Sequence, residues 1–91
     1  MEQTAKHILF SGQVQGVGFR YTANRIAARY NLTGFVCNLP DGDVEMLAQG
    51  AEQDIDNCIA EIQDCFSGYV RDTRISRLPP DSRYTNFRIT H

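Results

Sequence analysis

The sequence predicts an α+β fold in which a mostly antiparallel sheet is covered on one face by two helices. Two segments, residues 19–30 and 52–66, repeat apolar side chains at helical spacing. Short β-prone runs lie before, between and after them. Each predicted helix has a single apolar stripe, so both must bury it against the same face of one sheet.

The elements follow in order. A first strand is predicted over residues 7–14, with Ile8 and Phe10 on one face and Leu9 on the other. Residues 11–18 hold three glycines and read as a loop. In the helix after it, Phe19, Ala23, Ile26, Ala27 and Tyr30 form the stripe, and Asn31 suits a left-handed cap. Residues 35–39 and 44–48 are β-prone and flank Pro40-Asp41-Gly42-Asp43, which predicts a hairpin. In the second helix Ile55, Cys58, Ile59, Ile62, Cys65 and Phe66 recur on one side, and Cys58 and Cys65 are expected in the core. Glu52, Asp54 and Asp56 crowd its first turns, where negative charge opposes the positive end of the helix dipole. Gly68 is the expected stop. Residues 70–78 read as a strand, Pro79-Pro80 breaks it, and residues 86–90 form a last short strand in which Phe87 and Ile89 alternate. The order is β-α-β-β-α-β plus a terminal strand, the split βαβ or ferredoxin-like arrangement.

A chain of 91 residues is expected to form one domain, residues 1–91. It buries only roughly 60–65% of its unfolded surface, so any pocket is expected to be shallow. With 42% apolar residues and 7 glycines the composition is that of a globular protein, not a disordered one. Apolar runs are too short to span a membrane, and no basic segment leads into a long apolar one as in a secretory leader. Three cysteines are too few for a disulfide scaffold and fit reduced thiols in the cytoplasm. A free-standing cytoplasmic monomer is expected.

The net charge of −2 hides a partition. Residues 3–40 contain Lys6, Arg20, Arg25 and Arg29 and no acid, and residues 41–70 contain eight acids and no base. Residues 71–91 carry five arginines against Asp72 and Asp81. The N-terminal third is therefore the part suited to an anion. Its most informative segment is Gly12-Gln13-Val14-Gln15-Gly16-Val17-Gly18-Phe19-Arg20. Glycines let successive N–H groups converge, the first helical turn adds unpaired donors and a favourable dipole, and Arg20 adds a bidentate fork. The combination fits a phosphate. It is no Walker A loop, since Phe19 and Arg20 stand where Lys and Ser/Thr are required. Nor is it a dinucleotide fingerprint, because Tyr21 occupies the third glycine position.

Gln13-Val14-Gln15-Gly16-Val17-Gly18-Phe19-Arg20, followed by Gly34-Phe35-Val36-Cys37-Asn38-Leu39-Pro40-Asp41-Gly42-Asp43-Val44-Glu45, resembles the acylphosphatase family. Phe87-Arg88-Ile89 is similar to the family's last strand, and the resemblance runs over essentially the whole chain. It implies the ferredoxin-like fold and hydrolysis of the carboxyl–phosphate bond of acyl phosphates. It places the family's catalytic arginine on Arg20 and its catalytic asparagine on Asn38. Gln15, Gly16, Val17, Gly18, Phe19 and Arg20 are the expected phosphate-binding residues. Phe35 stands where the family often has Trp or Tyr, and Cys37 where it often has a basic residue. Alternation puts Cys37 on the sheet face opposite Asn38.

These residues suffice for the chemistry. The leaving carboxylate belongs to an acid of pKa about 4, so no general acid need protonate it. The loose transition state of phosphoryl transfer needs positioning and charge stabilisation, which Arg20 and the loop supply. An amide takes up no proton near neutral pH, so Asn38 can orient a water but not act as its base. No metal or other cofactor is expected, and no His/Cys/Asp cluster has ligand spacing. The expected partners are an acyl phosphate and, as site ligands, inorganic phosphate or sulfate; nucleic acid and membrane are not expected.

Other readings are weaker. Cys65 and Arg71 have the Cys-x5-Arg spacing of cysteine-dependent phosphatases, but Cys65 ends a helix, where the dipole has the wrong sign for a thiolate. An RNA-binding sheet lacks its aromatic signature and a basic balance. A slow, acylphosphatase-like accessory domain of a larger carbamoyl-transfer protein is a third possibility. His7 and His91 read as a solvated strand start and a frayed terminus, and Arg71, Arg74 and Arg77 as the outward face of a strand or its edge.

Overall fold

A computed structural model describes residues 3–90. The elements are β1 (Thr4–Gly12), α1 (Phe19–Arg29), β2 (Thr33–Asn38), β3 (Val44–Gly50), α2 (Glu52–Cys65), β4 (Val70–Leu78) and β5 (Phe87–Thr90). The strands form one sheet in the order β4-β1-β3-β2-β5. All neighbours are antiparallel except β5, which runs parallel to β2. The α+β arrangement expected from the pattern is the one adopted.

Register decides which side chains share a face. Ile8 opposes Met46, Phe10 opposes Val44, and Val36 opposes Met46 from the other side. These residues and Ala48 are fully buried beneath the helices. From α1 come Phe19, Ala23, Ile26 and Ala27, and from α2 Ile55, Cys58, Ile59 and Ile62, each set along one helical stripe. Helix α1 stops as the sequence predicts. Asn31 takes a left-handed φ of 57°, Leu32 N–H donates to Ala27 O at 3.1 Å and Asn31 N–H to Ala28 O at 3.2 Å. This is a Schellman closure, with Leu32 buried as its apolar contact.

Four local expectations are corrected. The first strand starts at Thr4, which pairs with Gly50 of β3, and ends at Gly12, the last residue paired with β4. Cys65 is exposed rather than buried. The chain leaves helical geometry at Phe66, whose ring takes the last core place against Phe19, centroids 4.6 Å apart. Gly68 lies in the turn beyond that point and is not the stop. His7 is no solvated strand start: it sits inside β1 and its Nε2 meets Glu45 Oε2 on β3 at 2.8 Å. His91 lies outside the described residues.

The charge partition resolves into contacts between elements. Lys6 Nζ reaches Asp56 at 2.7 Å and Glu52 at 3.3 Å, Arg77 also pairs with Glu52, and Arg29 pairs with Glu61. The hydrogen bond to Asp56 is the main cause that holds the Lys6 ammonium above its ordinary pKa. The acidic helix α2 is thus tied to β1, β4 and α1. Among the described residues no helix is long and apolar enough to cross a membrane.

The connection from β4 to β5 joins the two sheet edges across the face that carries no helix. Gln49, only 2% exposed, anchors it: its Nε2 donates to Asp81 O at 3.0 Å, and Asp81 N–H donates to Gln49 Oε1 at 2.8 Å. Phe35 and Tyr84 pack nearby, centroids 6.1 Å apart. The Arg83 guanidinium, hydrogen-bonded to the Asp81 carboxylate, lowers its pKa to about 2. Replacing Gln49 by Ala leaves the part-buried Asp81 N–H without its partner and takes one of two donors from Asp81 O, which keeps Tyr84 N–H at 3.2 Å; the change is expected to cost about 2 kcal/mol in urea unfolding. Arg74→Ala, which removes only an exposed pair with Asp72, is expected to shift stability by less than about 0.5 kcal/mol. Equal losses in the two variants would show that Gln49 does not hold the crossover.

Candidate active site

The loop between β1 and α1 begins where β1 loses its partner. Gln13 N–H donates to Tyr69 O at 2.9 Å, and the next residue, Val14, turns its side chain fully into the core. That plug holds an otherwise exposed loop. Gly16 and Gly18 take φ of 80° and 79°, a left-handed conformation that costs an L-residue about 1–2 kcal/mol. A Cβ at either position would meet nothing within 4 Å, so it is the backbone conformation and not crowding that calls for glycine.

Gly18 is the N-cap of α1, and Thr22 N–H donates to its carbonyl at 3.1 Å. No side chain caps this end, and its first turn holds no acid. The first turn of α2, by contrast, carries Glu52 and Asp54. The leading N–H groups and positive dipole of α1 are therefore not satisfied from within the helix, which is the setting that favours an anion.

A cavity of about 360 Å³ opens there, lined by Val14, Gly16, Gly18, Phe19, Arg20, Tyr21, Asn38 and Ile89. It brings Arg20 of α1 together with Asn38, the last residue of β2. Asn38 opposes Val44, which puts it on the helix-facing side of the sheet. The tight turn after it holds it in place: Leu39 N–H donates to Asp43 O at 2.8 Å, Gly42 N–H to Leu39 O at 3.2 Å, and Asp43 N–H to Asp41 Oδ1 at 3.0 Å.

The expected phosphate-binding residues divide. Gly16, Gly18, Phe19 and Arg20 line the cavity, but the Phe19 ring packs against Phe10 and Phe66, leaving only its backbone for a ligand. Val17, 37% exposed, is not part of the lining. Gln15 points its side-chain amide at Leu39 O and Asp43 O, at 2.8 and 2.9 Å. Three lining residues escaped the sequence reading. Tyr21, 63% exposed and off the apolar stripe, carried a usable signal as the neighbour of Arg20. Val14 was read as strand, and Ile89 reaches the site only through the parallel pairing that sets it beside Val36.

Cys37 lies on the opposite sheet face from Asn38, as alternation requires, and its thiol donates to Glu45 Oε1 at 3.4 Å. Burial pushes this thiol up, against the opposing hydrogen bond from Thr90 and the charge of Arg20. Cys65 ends α2 and Arg71 lies on β4, so the Cys-x5-Arg spacing does not form a strand-to-helix phosphate loop. Among the described residues no group of three or more His, Cys, Asp or Glu is placed to hold a metal ion.

A family model described as Acylphosphatase matches residues 6–89. An acylphosphatase of Marinobacter nauticus is 38% identical over 89 residues, covering 93% of this chain and 94% of its own. The crystal structure of an acylphosphatase from Bacillus subtilis superposes with a TM-score of 0.89 at 32% identity, covering 97% of this chain and 99% of that one. The crystal structure of HypF from T. kodakarensis superposes with a TM-score of 0.84 at 32% identity, covering 97% of this chain but 12% of that much longer one.

The thiols give a check on the local geometry. With an aromatic disulfide reagent at pH 8, exposed Cys65 is expected to be labelled first. Burial pushes Cys58 up to about 12, so it carries almost no thiolate at that pH and should stay unlabelled until the protein unfolds. Peptide mass spectrometry reads the order; early labelling of Cys58 would contradict the packing of α2.

Proposed function

The chain belongs to the acylphosphatase family, and from that membership we propose that Arg20, Asn38 and the loop of residues 15–20 carry out its reaction without a metal. It is an enzyme of acylphosphatase activity, and its substrate class is a small-molecule acyl phosphate. The observation that supports the residue assignment is the single cavity in which Arg20 and Asn38 meet at the uncapped N-terminus of α1.

In this mechanism the phosphoryl oxygens sit against the N–H groups of the loop and the first turn of α1. Arg20 grips two of them with its planar fork. As the bond from phosphorus to the carboxylate oxygen lengthens, charge spreads over the equatorial oxygens, where the fixed donors stabilise it without reorganising. Asn38 Oδ1 accepts a hydrogen bond from a water and turns its lone pair toward phosphorus. The water oxygen bonds to phosphorus and the carboxylate leaves with its electron pair. The water proton passes to a phosphate oxygen or to solvent. Because the departing carboxylate is already a weak base, with an acid pKa of about 4, neither a general acid nor a metal is required.

Residues 1–91 act in this proposal as one monomeric domain in the cytoplasm, with inorganic phosphate or sulfate as ligands of the same loop. A second reading, a slow phosphate-binding module, draws on the likeness to a small part of the HypF chain.

Benzoyl phosphate turnover, followed with and without chelator, separates these readings. Rapid hydrolysis unaffected by chelator is expected; binding without turnover would favour the module, and loss with chelator would end the metal-free mechanism. Inorganic phosphate is expected to inhibit competitively. Arg20→Lys keeps the charge but not the fork, so kcat/KM is expected to fall about 100-fold or more. Asn38→Ala is expected to lower kcat by about 100-fold while phosphate affinity stays within about twofold. Asn38→Asp should fail too, since a carboxylate would face the substrate's charge. Weakened phosphate binding with kcat preserved would make Asn38 a ligand instead. Cys65→Ser is expected to retain full turnover, and its inactivation in a folded protein would revive the cysteine mechanism.

A further inference from the structure

We propose that Gln15 is a positioning residue for Asn38, clasping the phosphate loop to the turn that carries the water-orienting amide. The inference rests on the role given to Asn38 above.

The Gln15 amide nitrogen bears two hydrogens, and two carbonyls lie within reach of it, Leu39 O at 2.8 Å and Asp43 O at 2.9 Å. Each carbonyl already accepts one backbone bond, Leu39 O from Gly42 N–H and Asp43 O from Leu39 N–H. With two lone pairs apiece, both carbonyls are filled by this arrangement, and the clasp is closed. It joins segments 24 and 28 residues apart in sequence.

A chain of bonds runs from Gln15 to Asn38. Gln15 holds Asp43 O, Asp43 O holds Leu39 N–H, and that N–H belongs to the peptide group that Asn38 itself begins. The β2–β3 ladder ends at the Asn38–Val44 pair, so beyond it the turn has its own short bonds and this clasp. At its other end Gln15 is continuous with Gly16 and Gly18, which line the cavity, while the Gln15 side chain does not. One side chain therefore sets the spacing between the phosphate cradle and the amide that aims the water. Attack needs the two oriented together, and a displacement of about 1 Å can cost 100-fold in rate. A residue that only secured the fold would affect stability and leave this geometry to other contacts.

The test is a set of cycles in the full chain. Gln15→Ala removes the clasp, and Gln15→Met removes both donors while nearly keeping length and volume, which guards against a collapsed loop. Each is made in the natural background and in Asn38→Ala, and kcat, KM, the phosphate inhibition constant and the thermal midpoint are measured. Both Gln15 variants are expected to lose about 10- to 100-fold in kcat, with KM and the phosphate constant within about twofold. In the Asn38→Ala background they should lose nothing further, because the residue through which Gln15 acts is gone. A further loss of the same size there would overturn the proposal. So would weakened phosphate binding with kcat preserved, which would make Gln15 a phosphate ligand, or a lowered midpoint with kcat unchanged. If Asn38→Ala alone keeps full kcat, the role of Asn38 fails and this proposal with it; if Asn38→Ala is impaired and the Gln15 variants are not, only the proposal fails.

Discussion

The pairing of β1 with β3 sets Ile8 opposite Met46 and Phe10 opposite Val44, and the rest of the molecule is arranged around that register. Because the two strands are antiparallel, the C-terminal end of β1 lies beside the N-terminal end of β3. The loop that leaves the first and the turn that enters the second are thereby delivered to the same end of the sheet. Gln15 can reach Asp43 O and Leu39 O only for this reason. A slip of one residue would turn Ile8 and Phe10 away from the helices and carry the loop off the turn. The apolar face that makes the fold stable and the geometry of the cavity are thus specified by the same contacts.

The two helices share the burial of that face but differ at their N-termini. Helix α2 has acids in its first turn, and its acidic surface engages Lys6, Arg29 and Arg77 from three other elements. Helix α1 begins at a left-handed glycine with neither a side-chain cap nor an acid, beside the cavity that holds Arg20. The opposite charges of the first forty and the next thirty residues serve both ends. Part of the positive charge is used between elements, and the first turn of α1 carries no acid against its positive dipole end.

The face without helices is organised by a different economy of polar groups. Gln49 is buried, yet both ends of its amide are satisfied by the backbone of Asp81. The crossover it pins brings β5 to lie parallel to β2, and β5 brings Ile89 to the wall of the cavity. Cys37 and His7 share Glu45 on this same face, away from Asn38. A thiol next in sequence to Asn38 is kept from the cavity by nothing more than the alternation of a strand.

Local pattern determined much of this protein. The stripes of α1 and α2, the left-handed Asn31, the hairpin at residues 40–43 and the glycine loop leading to Arg20 were legible because each depends on neighbours within a turn or two. The resemblance to a family added Asn38, which no local rule distinguishes from an ordinary turn residue. Tertiary structure decided the rest. It exposed Cys65 where Phe66 took the core place, engaged His7 with Glu45, buried Val14 under its loop, brought Ile89 to the cavity and turned the Gln15 amide onto two carbonyls. Each of these depends on which strand lies beside which, and in what register. Periodicity along one segment assigns a side chain to a face, but the group it meets across that face belongs to a segment tens of residues away, and only the closed sheet brings the two together.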